Sequence, residues 1–361
     1  MPLRVLLTGA NGFIAQHILA QLLDAGHSVR AVVRTDRAAS QLRAIFPASA
    51  HPESQLDYSI VPDITAPGAF DAALSSSKPP FDVILHTASP FDFRVGASAA
   101  DFLNPAINGT VEILRAAHRV APSVRRVVVT SSMAAVVDGT APPVTSPAKI
   151  YTEKDWLETT RAEVEAAVAA GTASPALPYV ASKALAERAA WDFVADAKPS
   201  FDLVTINPPM VYGPVHSASA LKSPADLGQS NFTLYSALLS PDLTEASPVP
   251  PQFMHLYVDV RDVARAHLLA ATTPAAGGNR FVVSPGGESY QRIANIFREA
   301  LPHLAGRIPK GDPERTALPE GIYGVDSSLA KTVLGLEFTK AEETFADSAR
   351  QFIEIEERSK A

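Results

Sequence analysis

The chain has 361 residues, 47% hydrophobic and 19% charged, a balance that suits one large or two modest globular domains and excludes a disordered chain. Its net charge of −7, with no basic cluster interleaved with aromatics, speaks against nucleic acid as a partner, and the absence of cysteine excludes disulfides, thiolate metal sites and thiol nucleophiles. No apolar run approaches a membrane span, residues 3–7 are too short for a signal-peptide core, and Ser359-Lys360-Ala361 lacks the final Leu of a peroxisomal address, so a cytoplasmic location away from membranes is expected.

Residues 4–7 predict a strand and 13–25 a helix, with Ile14, Ile18, Leu19, Leu22 and Leu23 on its apolar face and Gly26 as its stop. A second strand spans 28–33 and a helix lies near 38–45. Further strands at 58–61, 83–86 and 126–130 are separated by helices near 69–74 and 109–118. These strands are rich in Val, Ile and Leu on both faces, as in a parallel sheet covered by helices on both sides. An insertion over 138–178, with a Pro-rich turn and a helix at 160–170, interrupts the rhythm, and a helical run follows at 184–196. Prolines crowd the chain after Asn207. Strands at 254–258 and 279–283 are expected to return to the main sheet, and a terminal helix at 345–358 places Glu354, Glu356 and Glu357 on a solvated face. The expected fold class is α/β: a doubly wound parallel sheet (Rossmann) over 1–211 with 252–285, a smaller, discontinuous substrate-binding lobe over 212–251 and 286–345, and a helix and tail at 346–361.

Thr8-Gly9-Ala10-Asn11-Gly12-Phe13-Ile14-Ala15 follows the first strand and opens the first helix, the context a dinucleotide loop requires. Gly9 permits the tight turn, and Gly12 lets the backbone approach a pyrophosphate held by the helix N-terminus. Ala15 stands where a small residue packs helix on strand. Asn11, Phe13 and Ile14 complete the loop. The second strand ends in Arg34, with Arg37 nearby, where enzymes that use NAD place an acid for the ribose 2′-hydroxyl. A guanidinium there can pair with a 2′-phosphate, so NADPH/NADP+ is the predicted cofactor, although Asp36 lies close in sequence. Asp63 and Ile64, just past the third strand, would bracket the adenine.

Tyr179-Val180-Ala181-Ser182-Lys183 puts a phenol and an ammonium at i and i+4, on one helix face. The ammonium is expected to lower the phenol's pKa and to reach the nicotinamide ribose, while the phenol exchanges a proton with a carbonyl or carbinol oxygen. The strand at 126–130 ends in Ser131-Ser132, and ligands of parallel sheets bind at strand carboxyl ends. One of the two serines can therefore hold the substrate carbonyl. His17, His27, His86, His216, His255 and His267 show no metal-ligand spacing, and no metal is expected.

With these residues in view, the chain resembles an extended short-chain dehydrogenase/reductase over nearly its whole length. It is most similar to the branch of dihydroflavonol reductases, cinnamoyl-CoA reductases and fungal aldehyde/methylglyoxal reductases. The resemblance rests on the residue 8–15 loop, His86-Thr87-Ala88-Ser89-Pro90-Phe91, residues 104–110, Thr130-Ser131-Ser132, Tyr179 to Lys183, Asn207-Pro208-Pro209-Met210-Val211-Tyr212-Gly213-Pro214 and Val258-Asp259-Val260-Arg261-Asp262-Val263-Ala264. It implies Ser132 as the catalytic serine, Tyr179 as general acid and Lys183 as its partner. Thr87, Ala88, Ser89, Thr130, Ser131 and Pro208 should lie along the cofactor, and Phe91, Met133, Val137 and Met210 should line an apolar substrate pocket. Asn108 matches the family's Asn-x-x-Gly-Thr only loosely. Dihydroflavonol reductases carry a polar residue where Val137 stands, which weakens a flavonoid substrate. The resemblance thus implies an NADPH-dependent reductase of a small carbonyl compound, in a superfamily where homodimers are common. A hydroxysteroid dehydrogenase or a sugar-nucleotide epimerase shares the fold. A non-catalytic NADP-sensing protein would keep the glycine loop but tends to lose the Tyr or the Lys.

Overall fold

In the strand β1 (Arg4–Thr8) successive side chains face opposite ways and both directions are apolar: Val5 and Leu7 enter one buried cluster, Leu6 another. Such a strand must be covered twice, and the chain supplies the cover by alternation. The computed structural model describes residues 2–75, 79–89, 98–138, 143–174, 176–252 and 254–360. After β1 come α1 (Phe13–Asp24), β2 (Ser28–Val33), α2 (Asp36–Ile45), β3 (Leu56–Ile60), α3 (Asp71–Ser75), β4 (Val83–His86), α4 (Ala99–Val120) and β5 (Arg126–Thr130). Then follow β6 (Ile150–Tyr151), α5 (Arg161–Ala169), α6 (Leu177–Ala197), β7 (Asp202–Asn207), β8 (Met210–Tyr212), α7 (Gln229–Leu238), β9 (Leu256–Asp259) and α8 (Val260–Thr272). The chain ends through β10 (Arg280–Val282), β11 (Gly286–Gly287), α9 (Tyr290–Ala300), β12 (Gly324–Val325), α10 (Ser328–Leu334) and α11 (Ala341–Lys360).

Among the described residues, seven strands form one sheet in the order β10-β7-β5-β4-β1-β2-β3, and every pairing in it is parallel. This is the doubly wound arrangement expected, with its switch point between β1 and β4, where a cleft opens at the strand carboxyl ends. Ile18 and Leu22 of α1 and Val263 of α8 cover one face. Ala73 of α3, Ile113 of α4 and Ala190 of α6 cover the other. A third cluster of Leu234, Leu238, Ile293, Phe297, Phe345 and Phe352 joins α7, α9 and α11. No described helix is long and apolar enough to cross a membrane.

Three local expectations need correction. The strand predicted at 254–258 does not return to the main sheet. As β9 it pairs with β8 and β11 in a separate three-stranded sheet, because the main-sheet edge beside β7 is taken by β10, with Phe281 opposite Ile206. The helix predicted from 109 starts at Ala99. A capping box between Ser98 and Asp101 opens it, and burial of Leu103 and Ala106 offsets the bond that Pro105 cannot donate. Glu356 is not solvated but 4% exposed. Burial alone would push its carboxyl up, yet hydrogen bonds from Arg307, Lys360 and the Tyr235 hydroxyl outweigh it and bring the pKa down to about 2.

Candidate active site

Gly9 has φ +65°, the left-handed region, and a Cβ on it would come within 2.9 Å of Ala88 Cα. The turn after β1 therefore lies directly against the segment after β4. That contact is fastened by Thr87 Oγ1, which donates to the Thr8 carbonyl at 2.6 Å, and by the Ala88 N–H, which donates to Thr8 Oγ1 at 3.2 Å. Gly12 caps α1 without a side chain, and no acidic residue occupies the helix's first turn. The positive end of α1 thus opens toward an anion. Ala15 is buried under the helix as its small size requires.

From this turn a groove of about 430 Å³ runs along Gly9, Asn11, Gly12, Arg34, Thr35, Arg37, Ile64, Thr87, Ala88 and Ser89. It gathers most of the residues expected at the cofactor end. Arg34 and Arg37 are exposed, and among the described residues neither finds a hydrogen-bond partner, although Arg34 lies near enough to Asp63 to act on its charge. Asp63 stands beside the groove, held low in pKa by the Thr65 hydroxyl and backbone N–H, which donate to it at 2.7 and 2.8 Å. Asp36 sits in the first turn of α2 and is not among the groove residues.

The groove shares Gly9, Gly12 and Thr87 with a cavity of about 590 Å³ at the ends of β5 and β7. Tyr179 is in the first turn of α6, where Pro178 needs no hydrogen-bond partner, and Lys183 follows one turn later. Ser132 stands just past the end of β5, its Oγ accepting from Ala134 N–H at 3.1 Å, and its hydroxyl lies near enough to the Tyr179 phenol to act on its pKa. Lys183 Nζ donates to Ser89 Oγ at 3.1 Å and lies 5.9 Å from the Tyr179 ring centre. The expected lowering of the phenol pKa is not what this geometry produces. Burial raises it, with the nearby Ser132 hydroxyl pulling the other way, and burial brings Lys183 itself down to about 8. The phenol is therefore protonated at neutral pH, the form a proton donor needs.

The two serines face different surroundings. Ser131 Oγ donates to the buried Glu187 at 2.5 Å, while Ser132 meets Tyr179. Thr130, Ser131, Met133, Pro208 and Met210 line the cavity. The Thr130 hydroxyl also pairs with His267 Nε2 at 2.7 Å. Val137 is not on the cavity wall. It packs with Val136, Tyr151 and Leu256 in a small core cluster. Asn108 is on α4 and exposed, and Phe91 lies outside the described residues. Sequence reasoning missed Met254, Tyr212, Gln229, Ser230, Thr233 and Tyr290, which also line the cavity. Gln229, Ser230, Thr233 and Tyr290 sit on α7 and α9, which carry no motif. Among the described lining residues Lys183 is the only charged one.

The sequence pattern of the NAD dependent epimerase/dehydratase family matches residues 5–284. The chain belongs to that family. It is 40% identical to the ketoreductase azaE of Aspergillus niger, over 97% of this chain and 98% of that one. It is 34% identical to the NADPH-dependent methylglyoxal reductase GRE2 of Saccharomyces cerevisiae, over 98% of this chain and 99% of the relative. The crystal structure of the yeast methylglyoxal/isovaleraldehyde reductase Gre2 complexed with NADPH superposes with a TM-score of 0.87, covering 98% of this chain and 99% of that one. With such relatives the chain is an oxidoreductase.

Proposed function

We propose that the protein is an NADPH-dependent carbonyl reductase acting on apolar aldehydes or ketones. The observation that carries this reading is that Ser132, Tyr179 and Lys183 line one cavity, continuous with the glycine-turn groove through Gly9, Gly12 and Thr87. The residues of that groove fit the cofactor. Gly9 lets the turn close against the Ala88 segment, the first turn of α1 suits a pyrophosphate, and Arg34 and Arg37 offer guanidinium groups to a 2′-phosphate. When bound there, NADPH supplies the hydride.

The chain's own residues do the rest. Ser132 donates a hydrogen bond to the substrate carbonyl oxygen and fixes its direction. Tyr179 passes its phenolic proton to that oxygen as the carbon becomes a carbinol, so the product is an alcohol and the phenol is left as phenolate. Lys183, cationic below about pH 8, stabilises the phenolate until a proton returns. Met133, Met210 and Met254 form an adaptable apolar wall suited to hydrophobic substituents. A sugar nucleotide would bring a diphosphate into a cavity whose described lining offers no cation but Lys183, which disfavours the epimerase reading. The presence of both Tyr179 and Lys183 disfavours a non-catalytic sensor.

The test is oxidation of NADPH and NADH in parallel by the purified protein, with methylglyoxal, aromatic aldehydes, small β-ketoesters, bulky aryl ketones and a dihydroflavonol. The expected outcome is NADPH-selective turnover of at least one apolar carbonyl compound. NADPH binding without turnover of any would turn the reading to the sensor.

A further inference from the structure

Beneath the two serines lies a carboxylate that this chemistry does not use. Glu187 sits on α6 one turn after Lys183 and is 2% exposed. Its two oxygens divide their partners. Oε2 accepts from Ser131 Oγ at 2.5 Å and from Asn207 Nδ2 at 2.7 Å. Oε1 accepts from Arg280 Nε at 2.6 Å, Thr205 Oγ1 at 2.8 Å and Trp191 Nε1 at 3.4 Å. Arg280 is itself anchored. Its guanidinium lies 3.5 Å from the centre of the Trp156 ring and donates to the carbonyls of Glu153 and Asp155 at 2.6 and 2.7 Å. Asn207 Nδ2 donates a second bond, at 3.1 Å, to the carbonyl of Ser132. One carboxylate therefore links the helix that carries Tyr179 and Lys183 to the ends of β5, β7 and β10.

We propose that Glu187 is a positioning residue for the reduction: acting through Asn207 and Ser131, it holds Ser132 in place beside Tyr179 in the cavity. The proposal rests on the roles assigned above to those two residues. The chemistry of Oε2 makes it specific. Asn207 must point its NH2 at both Glu187 and the Ser132 carbonyl, so position 187 has to offer an acceptor on that side. In Glu187→Gln the remaining oxygen stays with the cationic Arg280, and the new NH2 faces the NH2 of Asn207. Relief requires the Asn207 amide to turn over, which releases the Ser132 carbonyl. A displacement on the order of 1 Å at a reacting group costs about 100-fold in rate.

The experiment compares wild type, Glu187→Gln, Asn207→Ala and the double variant. Glu158→Gln, which changes a surface carboxylate paired with Arg188, serves as a control expected to behave as wild type. Each protein is measured for thermal midpoint, for NADPH Kd by fluorescence, and for kcat and KM with the best substrate of the panel. Glu187→Gln and Asn207→Ala are each expected to lower kcat roughly 10- to 100-fold while Kd and KM move less than about threefold. The double variant should lose no more than the weaker single, because both cut the same chain of bonds. Wild-type kcat in Glu187→Gln, or losses that multiply in the double, would overturn the proposal. If Glu187→Gln does not fold because the buried Arg280 charge loses its counter-charge, Ser131→Ala and Asn207→Ala cut the two arms without removing a charge. Wild-type kcat in both would overturn it equally. Tyr179→Phe in the same assay separates the two levels: an active Tyr179→Phe defeats the site reading itself, whereas an inactive one beside a fully active Glu187→Gln defeats only the positioning role.

Discussion

The rim and the floor of the cleft are shaped by different means. At the rim, backbone makes the surface: Gly9 with its positive φ, the bare N-terminus of α1, and the Thr87-Ala88 segment pressed against the turn. The side chains that face the groove there, Arg34 and Arg37, are exposed and take no described hydrogen-bond partner. At the floor, side chains make the surface. Ser131, Asn207, Thr205 and Arg280 converge on Glu187, and Ser132 and Tyr179 line the cavity above it. The rim is therefore open to substitutions that alter recognition and leave the fold intact. Changes at the floor spread, because each buried polar group depends on its neighbours.

The largest expected effect is at the floor. Tyr179→Phe removes the proposed proton donor and should lower turnover by about 10²- to 10⁴-fold while NADPH still binds, as measured by steady-state kinetics and cofactor fluorescence. Retained turnover would show that the phenol does not deliver the proton. Next comes the rim. Arg34→Asp should raise the NADPH Kd by about tenfold, the equivalent of ~1.4 kcal/mol, with NADH use falling less or improving and the thermal midpoint unmoved. Equal losses for both cofactors would remove the 2′-phosphate role, and a marked drop in thermal midpoint would erase the contrast between rim and floor. The smallest effect is in pH. Burial brings Lys183 down to about 8, so it is cationic below that value and neutral above it. The kcat for reduction should hold at lower pH and decline as pH rises through about 8. A profile flat well past that point would put the ammonium charge outside the chemistry.

The rim was the more readable region in the sequence. Gly9, Gly12, Arg34 and Arg37 lie close together in the chain, and their requirements are local: a residue tolerant of positive φ, a helix start, a basic residue at a strand end. The floor was readable only where helix periodicity set the answer, as with Tyr179 and Lys183 one turn apart. Even there the direction of the phenol pKa escaped, because burial outweighs an ammonium 5.9 Å from the ring centre. Val137 shows the same limit. Its apolar character suits a pocket wall or a core equally, and packing with Tyr151 and Leu256 chose the core.

By itself, then, the sequence determined the alternation of strand and helix, the dinucleotide turn and the Tyr179–Lys183 pair, all of which depend on periodicity or on the conformational needs of single residues. Tertiary structure alone decided that β9 leaves the main sheet, that Ser132 meets Tyr179 while Ser131 turns to Glu187, and that α7 and α9 complete the cavity. It also decided that Glu187 and Glu356 are buried. Their partners Ser131, Arg280 and Tyr235 lie 56, 93 and 121 residues away in the chain. A carboxylate on a helix reads as solvated until the fold brings an arginine and a hydroxyl to it, because burying that charge is favourable only once those partners are in place.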